Sequence, residues 1–130
     1  MNLRLPVWLS RWSAGPTTIV LRSDGFEIQE RGRSVVSLRW SEVQAIRAYQ
    51  RDLVMQELTC FDIEEVAVAR YWTVTEDAKG FWAFNAACKQ ELPGFDLAWE
   101  QHVHSTPNAE NSRVIYTRQL ASQRRPLSSG

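Results

Sequence analysis

Cysteine is scarce in this chain, which has only Cys60 and Cys88 among its 130 residues. Their separation of 28 positions fits neither a metal knuckle nor a dense disulfide framework. Both lie inside apolar patterns, so we expect two buried thiols, as a reducing compartment favours. A single bridge between them stays open as the alternative, because its geometry depends on their separation in space.

An excess of charge of either sign is also absent. Fifteen basic residues balance fifteen acidic ones, and the formal net charge is zero. The chain therefore lacks the basic footprint of a nucleic-acid-binding protein. Its 44% apolar and 23% charged residues are ordinary for a folded globular protein and exclude the disordered class.

Long hydrophobic runs are missing. Residues 1–12 are rich in apolar side chains, but Pro6, Ser10 and Arg11 interrupt them and no small-residue cleavage site follows, so we do not expect a secretory signal. No stretch approaches the roughly 18 uninterrupted apolar residues of a membrane span. We expect a soluble, cytoplasmic protein that reaches a membrane only if something recruits it.

Motifs of known chemistry are equally absent. The chain has no Gly-x-Ser-x-Gly elbow, no phosphate loop and no dinucleotide glycine fingerprint, which leaves an enzyme without positive support. His102 and His104 would share one face of a strand, but a third zinc ligand is not identifiable. Glu76 and Asp77 are better explained as residues at a helix start, with Asp77 as the cap. We therefore predict a non-enzymatic protein with no catalytic residue, no cofactor and no metal.

What the chain does have is the pattern of β-strands. An extended segment over 17–22 precedes the turn at 23–25, and apolar and polar residues alternate after it over 26–30. After the turn at 31–33, Val36, Leu38 and Trp40 fall on one face. Residues 55–63 and 66–75 are rich in β-branched and aromatic side chains, and they predict a long hairpin that turns at Glu64 and Glu65.

The second half predicts helices and one more strand. Phe81, Phe84, Cys88 and Leu92 repeat at helical spacing before a Pro-Gly stop. A short helix over 96–103 and a strand over 113–118 follow. The fold class is therefore α+β, a bent antiparallel meander of about six to seven strands packed with one amphipathic helix. We predict an apolar segment over 1–16, one domain over 17–118 and a flexible polar tail over 119–130.

Six tryptophans are more than average for 130 residues. Trp40, Trp72 and Trp99 are in phase with apolar neighbours, which predicts that they belong to the core. Trp8 and Trp12 precede the first strand, four positions apart. They either pack back across the domain or stay exposed to bind a membrane surface or a partner.

Two stretches carry a resemblance to a known family. Residues 40–53 read Trp-Ser-Glu-Val-Gln-Ala-Ile-Arg-Ala-Tyr-Gln-Arg-Asp-Leu, and residues 72–81 read Trp-Thr-Val-Thr-Glu-Asp-Ala-Lys-Gly-Phe. With their surroundings over 17–118, they resemble small bacterial proteins with a pleckstrin-homology-like fold, some of which look like immunity proteins of polymorphic toxin systems. This chain departs from the usual order, because a strand follows the long helix and the turn at 23–25 carries Asp24 in place of a basic cluster. The resemblance implies a protein-binding domain, and the departure at Asp24 argues against a phosphoinositide site.

The leading hypothesis is a non-catalytic immunity protein that binds and neutralises a toxin or secreted effector. Its candidate contacts are four acidic residues around the longest hairpin, Glu57, Asp62, Glu64 and Glu65. If the toxin is basic, these carboxylates speed association.

The alternative is a membrane-surface adaptor, in which Trp8, Trp12, Arg4 and Arg11 insert at the interface. An enzyme of unknown class is a distant third hypothesis, and it requires an acid-base pair in a deep pocket.

Overall fold

The computed structural model describes residues 17–52, 57–68, 70–105 and 112–118. The segments predicted as an apolar N-terminus and a flexible tail lie outside this range. The described residues form the strands β1 (Thr17–Leu21), β2 (Gly25–Glu30), β3 (Arg33–Arg39), β4 (Val43–Asp52), β5 (Glu57–Glu65), β6 (Tyr71–Thr75) and β7 (Arg113–Thr117), and the helices α1 (Phe81–Glu91) and α2 (Trp99–Ser105).

The strands build two antiparallel sheets, ordered β1-β2-β3 and β6-β5-β4-β7. Antiparallel sheets with few helices agree with the predicted α+β class, and the number of strands in the described residues agrees as well. The predicted meander is interrupted, however. A single 3-10 turn over Trp40–Glu42 redirects the chain, so that β3 and β4 are not paired with each other, and β7 returns from the helices to pair with β4.

The first two hairpins follow from local turn chemistry. Between β1 and β2, the Arg22 N–H donates to the Gly25 carbonyl at 2.8 Å across a two-residue turn. Between β2 and β3, Arg31 has φ 55° and Gly32 has φ 79°, the pair of positive angles that a tight hairpin turn matched to strand twist requires. The sequence placed both turns correctly.

The hairpin of β5 and β6 turns later than the sequence predicted. Glu64 and Glu65 lie inside β5, and the chain reverses over the residues between Glu65 and Tyr71. Tertiary contact explains the difference, because the Val66 N–H donates to the carbonyl of Glu42 in the 3-10 turn at 2.9 Å. Val66 thus has the β-branched side chain typical of a strand, but its backbone lies in the turn and bonds to Glu42.

Helix α1 begins differently from the prediction that Asp77 caps it. Gly80 is at the N-cap position with φ 88°, and no side chain caps the helix. Asp77 instead accepts a hydrogen bond from the Thr75 hydroxyl. Glu76 accepts a hydrogen bond from the Thr59 N–H at 2.7 Å. Both carboxylates are structural, but they bind strand residues because the chain runs three more positions before the helix starts.

One apolar cluster joins both sheets to the helices. Trp99 is fully buried, whereas Trp40 and Trp72 are partly buried against the cluster, so the core prediction holds fully for one of the three. The Trp99 ring meets Phe61 at 5.0 Å between centroids, and its indole N–H donates to Asn85 at 2.8 Å. Cys60 and Cys88 are buried free thiols, as the sequence predicted.

Candidate functional site: the outer face of the four-stranded sheet

Strand alternation separates the two faces of the four-stranded sheet. Phe61 and Ile63 of β5 point into the core, where they are fully buried, so the residues between them point the opposite way. We call this opposite side the outer face. The strand register gives its members as Ala45, Arg47, Tyr49 and Arg51 on β4, Leu58, Cys60, Asp62 and Glu64 on β5, Tyr71, Thr73 and Thr75 on β6, and Val114 on β7.

Asp62 occupies the middle of the outer face and links three strands. Its Oδ1 accepts a hydrogen bond from the Tyr49 hydroxyl at 3.0 Å and another from the Thr73 hydroxyl at 2.7 Å. Arg47 lies directly across from Asp62 on β4, in the position where opposite charges attract. These contacts fix side chains that would otherwise rotate freely, so the face is ordered before any partner arrives.

Exposed side chains surround this centre. Tyr71 is 56% exposed and Val114 is 45% exposed, on opposite edges of the sheet, and Arg47 and Arg51 are exposed between them. Tyrosine and arginine are the side chains that most often dominate binding energy at protein interfaces. The outer face therefore combines a fixed centre with exposed side chains of interface type.

Burial is the main influence on the pKa values of Tyr49 and Cys60, which lie near the middle of the outer face. It is the main cause that raises the pKa of Tyr49 to about 12, with the charge of Asp62 adding to it. Burial likewise raises the pKa of the Cys60 thiol to about 11. Both groups are therefore neutral at pH 7. Tyr49 acts as a hydrogen-bond donor, and Cys60 lacks the thiolate character that a nucleophile needs.

The four acidic residues predicted as partner contacts are divided by the sheet. Asp62 and Glu64 lie on the outer face, whereas Glu57 and Glu65 alternate to the other side. The latter two stand at the ends of β5, about 26 Å apart at the usual rise of a strand. Glu65 also accepts a hydrogen bond from the Trp72 indole N–H. The structure thus brings two of the four together.

The sequence reasoning passed over the other half of the outer face, including Arg47, Tyr71 and Val114. Alternation along β4 was the signal that puts Arg47 and Tyr49 on one face, whereas Tyr71 joins them only through the pairing of β4 and β6 with β5. The return of β7 to pair with β4, which brings in Val114, has no local signal, because it depends on pairing across the intervening helices.

An open pocket of about 390 Å³ lies where the turn between β1 and β2 meets β3 and the 3-10 turn. Arg22 and Arg39 both line it, but each guanidinium faces a carboxylate. Arg22 pairs with Glu27, and Arg39 lies 3.8 Å from Asp24. Together with a hydrogen bond from Ser34, which is the largest cause, Arg22 lowers the pKa of Glu27. These carboxylates weaken the attraction of the pocket for an anion.

The other sequence candidates fall elsewhere. His102 and His104 are in helix α2 rather than on one face of a strand, and about 200° of helical rotation separates them. The described residues contain no group of three or more metal-ligating side chains. Within the same ranges, no helix has the length and apolar character to cross a bilayer. Trp8 and Trp12 lie outside the described residues.

Comparisons of this chain with family models, with curated proteins and with solved structures find no match. The composition and order of the outer face are therefore the basis for a proposed function.

Proposed function

We propose that this protein is a non-catalytic binding domain that recognises another protein through the outer face of its four-stranded sheet. The observation that carries this proposal is the combination found there, exposed Tyr71, Val114 and Arg47 around the hydrogen-bonded centre at Asp62. Preordered side chains lose less entropy on binding than mobile ones do. Aromatic and arginine side chains supply the contact energy.

The charges of the outer face favour a partner of mixed charge. Arg47 lies opposite Asp62 on the paired strands β4 and β5, and Arg51 and Glu64 lie toward opposite ends of the same face. Such an arrangement selects a partner by pattern rather than by net charge. Within the proposal, a toxin or secreted effector is the partner class that the resemblance to immunity proteins implies, and neutralisation follows if the bound domain covers or distorts the toxin's active site.

The experiment is capture of partners from the native lysate by the tagged protein, with two variants run in parallel. Val114→Asp places a charge on the outer face, and Leu97→Asp places the same charge on an apolar side chain that is 64% exposed outside this sheet. A partner that binds the native protein and Leu97→Asp but not Val114→Asp supports the proposal. Equal capture by all three excludes the outer face.

Charge reversal tests the contribution of the acidic residues. Glu64→Lys is cleaner than a reversal that includes Glu65, because Glu65 also bonds Trp72. Glu57→Lys, on the other side of the same strand, is the matched control. We expect Glu64→Lys to slow association with the captured partner, and an unchanged rate would remove Glu64 from the contact surface.

Coexpression separately tests the hypothesis that this domain neutralises a toxin. If the captured protein arrests growth when expressed alone, the native domain should restore growth and Val114→Asp should not. Growth arrest that persists with the native domain would leave a binding protein that does not neutralise its partner.

A further inference from the structure

Strand β6 forms one edge of the four-stranded sheet, and β5 is its only neighbouring strand among the described residues. Two backbone bonds fix how it is oriented. The Glu65 N–H donates to the Arg70 carbonyl at 3.0 Å, and the Glu76 N–H donates to the Thr59 carbonyl at 2.9 Å. Pairs that exchange hydrogen bonds alternate with pairs that do not in an antiparallel ladder. Even-numbered residues of β6 therefore bond to β5, and odd-numbered ones direct their backbone groups to the open side.

The open side of β6 is ready to accept another strand. Tyr71 and Thr73 are exposed, and within the described residues their backbone N–H and carbonyl groups on this side have no partner. Thr75 directs its N–H the same way, although its carbonyl already accepts a bond from Ala78 at 2.9 Å. The strand reads Tyr-Trp-Thr-Val-Thr, which has high β propensity and no charge.

The edge strands β1 and β3 of the other sheet are protected in ways that β6 is not. The outward groups of β1 bond to Lys79, with the Ile19 N–H donating to it at 2.8 Å. The β3 strand has Arg33 and Arg39 at its ends and contains a register shift that leaves Val35 without a partner in β2. Charges and bulges at an edge are the usual devices that prevent pairing with another chain. Strand β6 has neither between Tyr71 and Thr75.

We propose that β6 pairs antiparallel with β6 of a second copy of this chain, with Thr73 on the twofold axis. In this register Tyr71 lies opposite Thr75, and Trp72 lies opposite Val74. The flanking residues complete the match, because Arg70 of each copy then faces Glu76 of the other. Opposite charges directly across a strand pair stabilise it. The two sheets join into one of eight strands, with both outer faces on the same side.

The choice of a second copy follows from this self-complementarity. A symmetric pairing places every residue of β6 opposite another residue of the same short segment, and here that operation sets a positive side chain against a negative one twice. The same operation on β3 sets Arg33 against Arg39, which repels. Pairing through β6 does not depend on the proposed partner binding, and it is measured without any partner present.

Sedimentation equilibrium of the full chain is the first test. We expect the apparent mass to rise with concentration from the 15.0 kDa of the monomer toward twice that value. Thr73→Pro removes an N–H on the open side only, so it should weaken the dimer by about tenfold or more. Ser37→Pro is the matched control, because Ser37 is in β3, an edge strand of the other sheet, and directs its N–H away from β2. Thermal unfolding of both variants checks that they fold.

Two further variants test the register. Thr73→Cys should give a covalent dimer with a short thiol-reactive cross-linker, since the two positions face each other across the axis. Val114→Cys, on the opposite edge strand, should not. Arg70→Glu should weaken the dimer at low salt, because two carboxylates then face each other.

Two outcomes would overturn the proposal. The first is a native chain that stays monomeric at every concentration measured, in which case the open edge of β6 would be available only to a strand of another protein. A dimer that neither Thr73→Pro nor Arg70→Glu affects overturns it as well.

Discussion

Two carboxylates in this protein hold the same kind of hydrogen-bonded network in contrasting surroundings. Glu100 accepts hydrogen bonds from Asn85 at 3.0 Å and from Lys89 at 2.8 Å. Asp62 accepts hydrogen bonds from Tyr49 at 3.0 Å and from Thr73 at 2.7 Å. The first network fastens α2 to α1 next to the core, and the second joins three strands of an open sheet face.

The two networks differ in the burial of the residues next to them. Asn85 also accepts the indole N–H of Trp99, which is fully buried. The outer-face network has Thr73 exposed beside it. We infer that the Glu100 network contributes chiefly to the stability of the fold, whereas the Asp62 network orders a surface for recognition at a smaller cost in stability if it is removed. The predictions below test this contrast.

The largest effect is expected for Trp99→Ala. Loss of a buried aromatic side chain typically destabilises a domain by about 3–5 kcal/mol, and this one also leaves Asn85 without its donor. Trp82→Ala is the control, because Trp82 stacks on Trp99 at 6.2 Å between centroids yet is 45% exposed. Urea unfolding measures both free energies, and equal losses would contradict the assignment of Trp99 to the core.

A smaller loss is expected where the helices join β1. Gly80 has φ 88°, and a Cβ there would lie 2.4 Å from the Ile19 carbonyl oxygen. Gly80→Ala should therefore cost about 2–3 kcal/mol, from the left-handed backbone and the overlap together. Gly94 has φ 87° with open space around it, so Gly94→Ala should cost only about 1–2 kcal/mol. Thermal unfolding of the two variants separates overlap from backbone strain, and similar losses would mean that the chain relaxes at Gly80.

The third largest effect is expected from acid, which should weaken the Glu100 network between α1 and α2. Burial by itself raises the pKa of Glu100, but hydrogen bonds, including those from Lys89 and Asn85, outweigh it, so the pKa is lowered from 4.5. The stabilisation is complete above the unfolded pKa and is lost as pH falls through the lower folded value. Glu100→Gln should flatten the decline in stability below about pH 4.5, as urea unfolding at pH 7 and in acid would measure. Glu91→Gln, at an exposed position in α1, is the control, and a decline unchanged by Glu100→Gln would place its cause elsewhere.

The smallest effect is expected on the outer face. Tyr49→Phe removes one hydrogen bond to Asp62, for a loss of about 1 kcal/mol in the free energy of unfolding. Since the pKa of Tyr49 rises from 10.0 to about 12 on folding, its stabilisation is complete below pH 10 and is lost as pH rises toward 12. Absorbance of the phenolate should show this delayed ionisation. Tyr49→Phe should reduce it and leave the part that comes from Tyr116, whose pKa burial also raises. Ionisation of all three tyrosines near pH 10 would contradict the burial of Tyr49.

The sequence predicted elements better than it predicted their ends. Alternation around Phe26 and Ile28 located the first sheet, and the spacing of Phe81, Phe84 and Cys88 located helix α1, because each pattern is local and repeats. Asp77 misled because a carboxylate before a helix is the usual sign of a cap. The actual hydrogen-bond partner of Asp77 is Thr75, which lies even closer to it in sequence than the start of the helix does.

Of the candidate site, the sequence identified Asp62 and Glu64 but grouped them with Glu57 and Glu65. Proximity along a strand does not mean proximity on a surface, because successive residues point to opposite faces. Arg47 and Tyr71 join the face only through the pairing of β4 and β6 with β5.

The sequence by itself determined the strand and helix patterns, the two-residue hairpin turns and the burial of both cysteines. These depend on local backbone preference and on hydrophobic periodicity, which act over a few residues. Only the tertiary structure decided that β7 pairs with β4, that Val66 serves a turn and that one edge and one face of the four-stranded sheet stay open. Each of those outcomes depends on contacts between segments far apart in the chain. The free energies of such contacts cannot be predicted from a local sequence pattern.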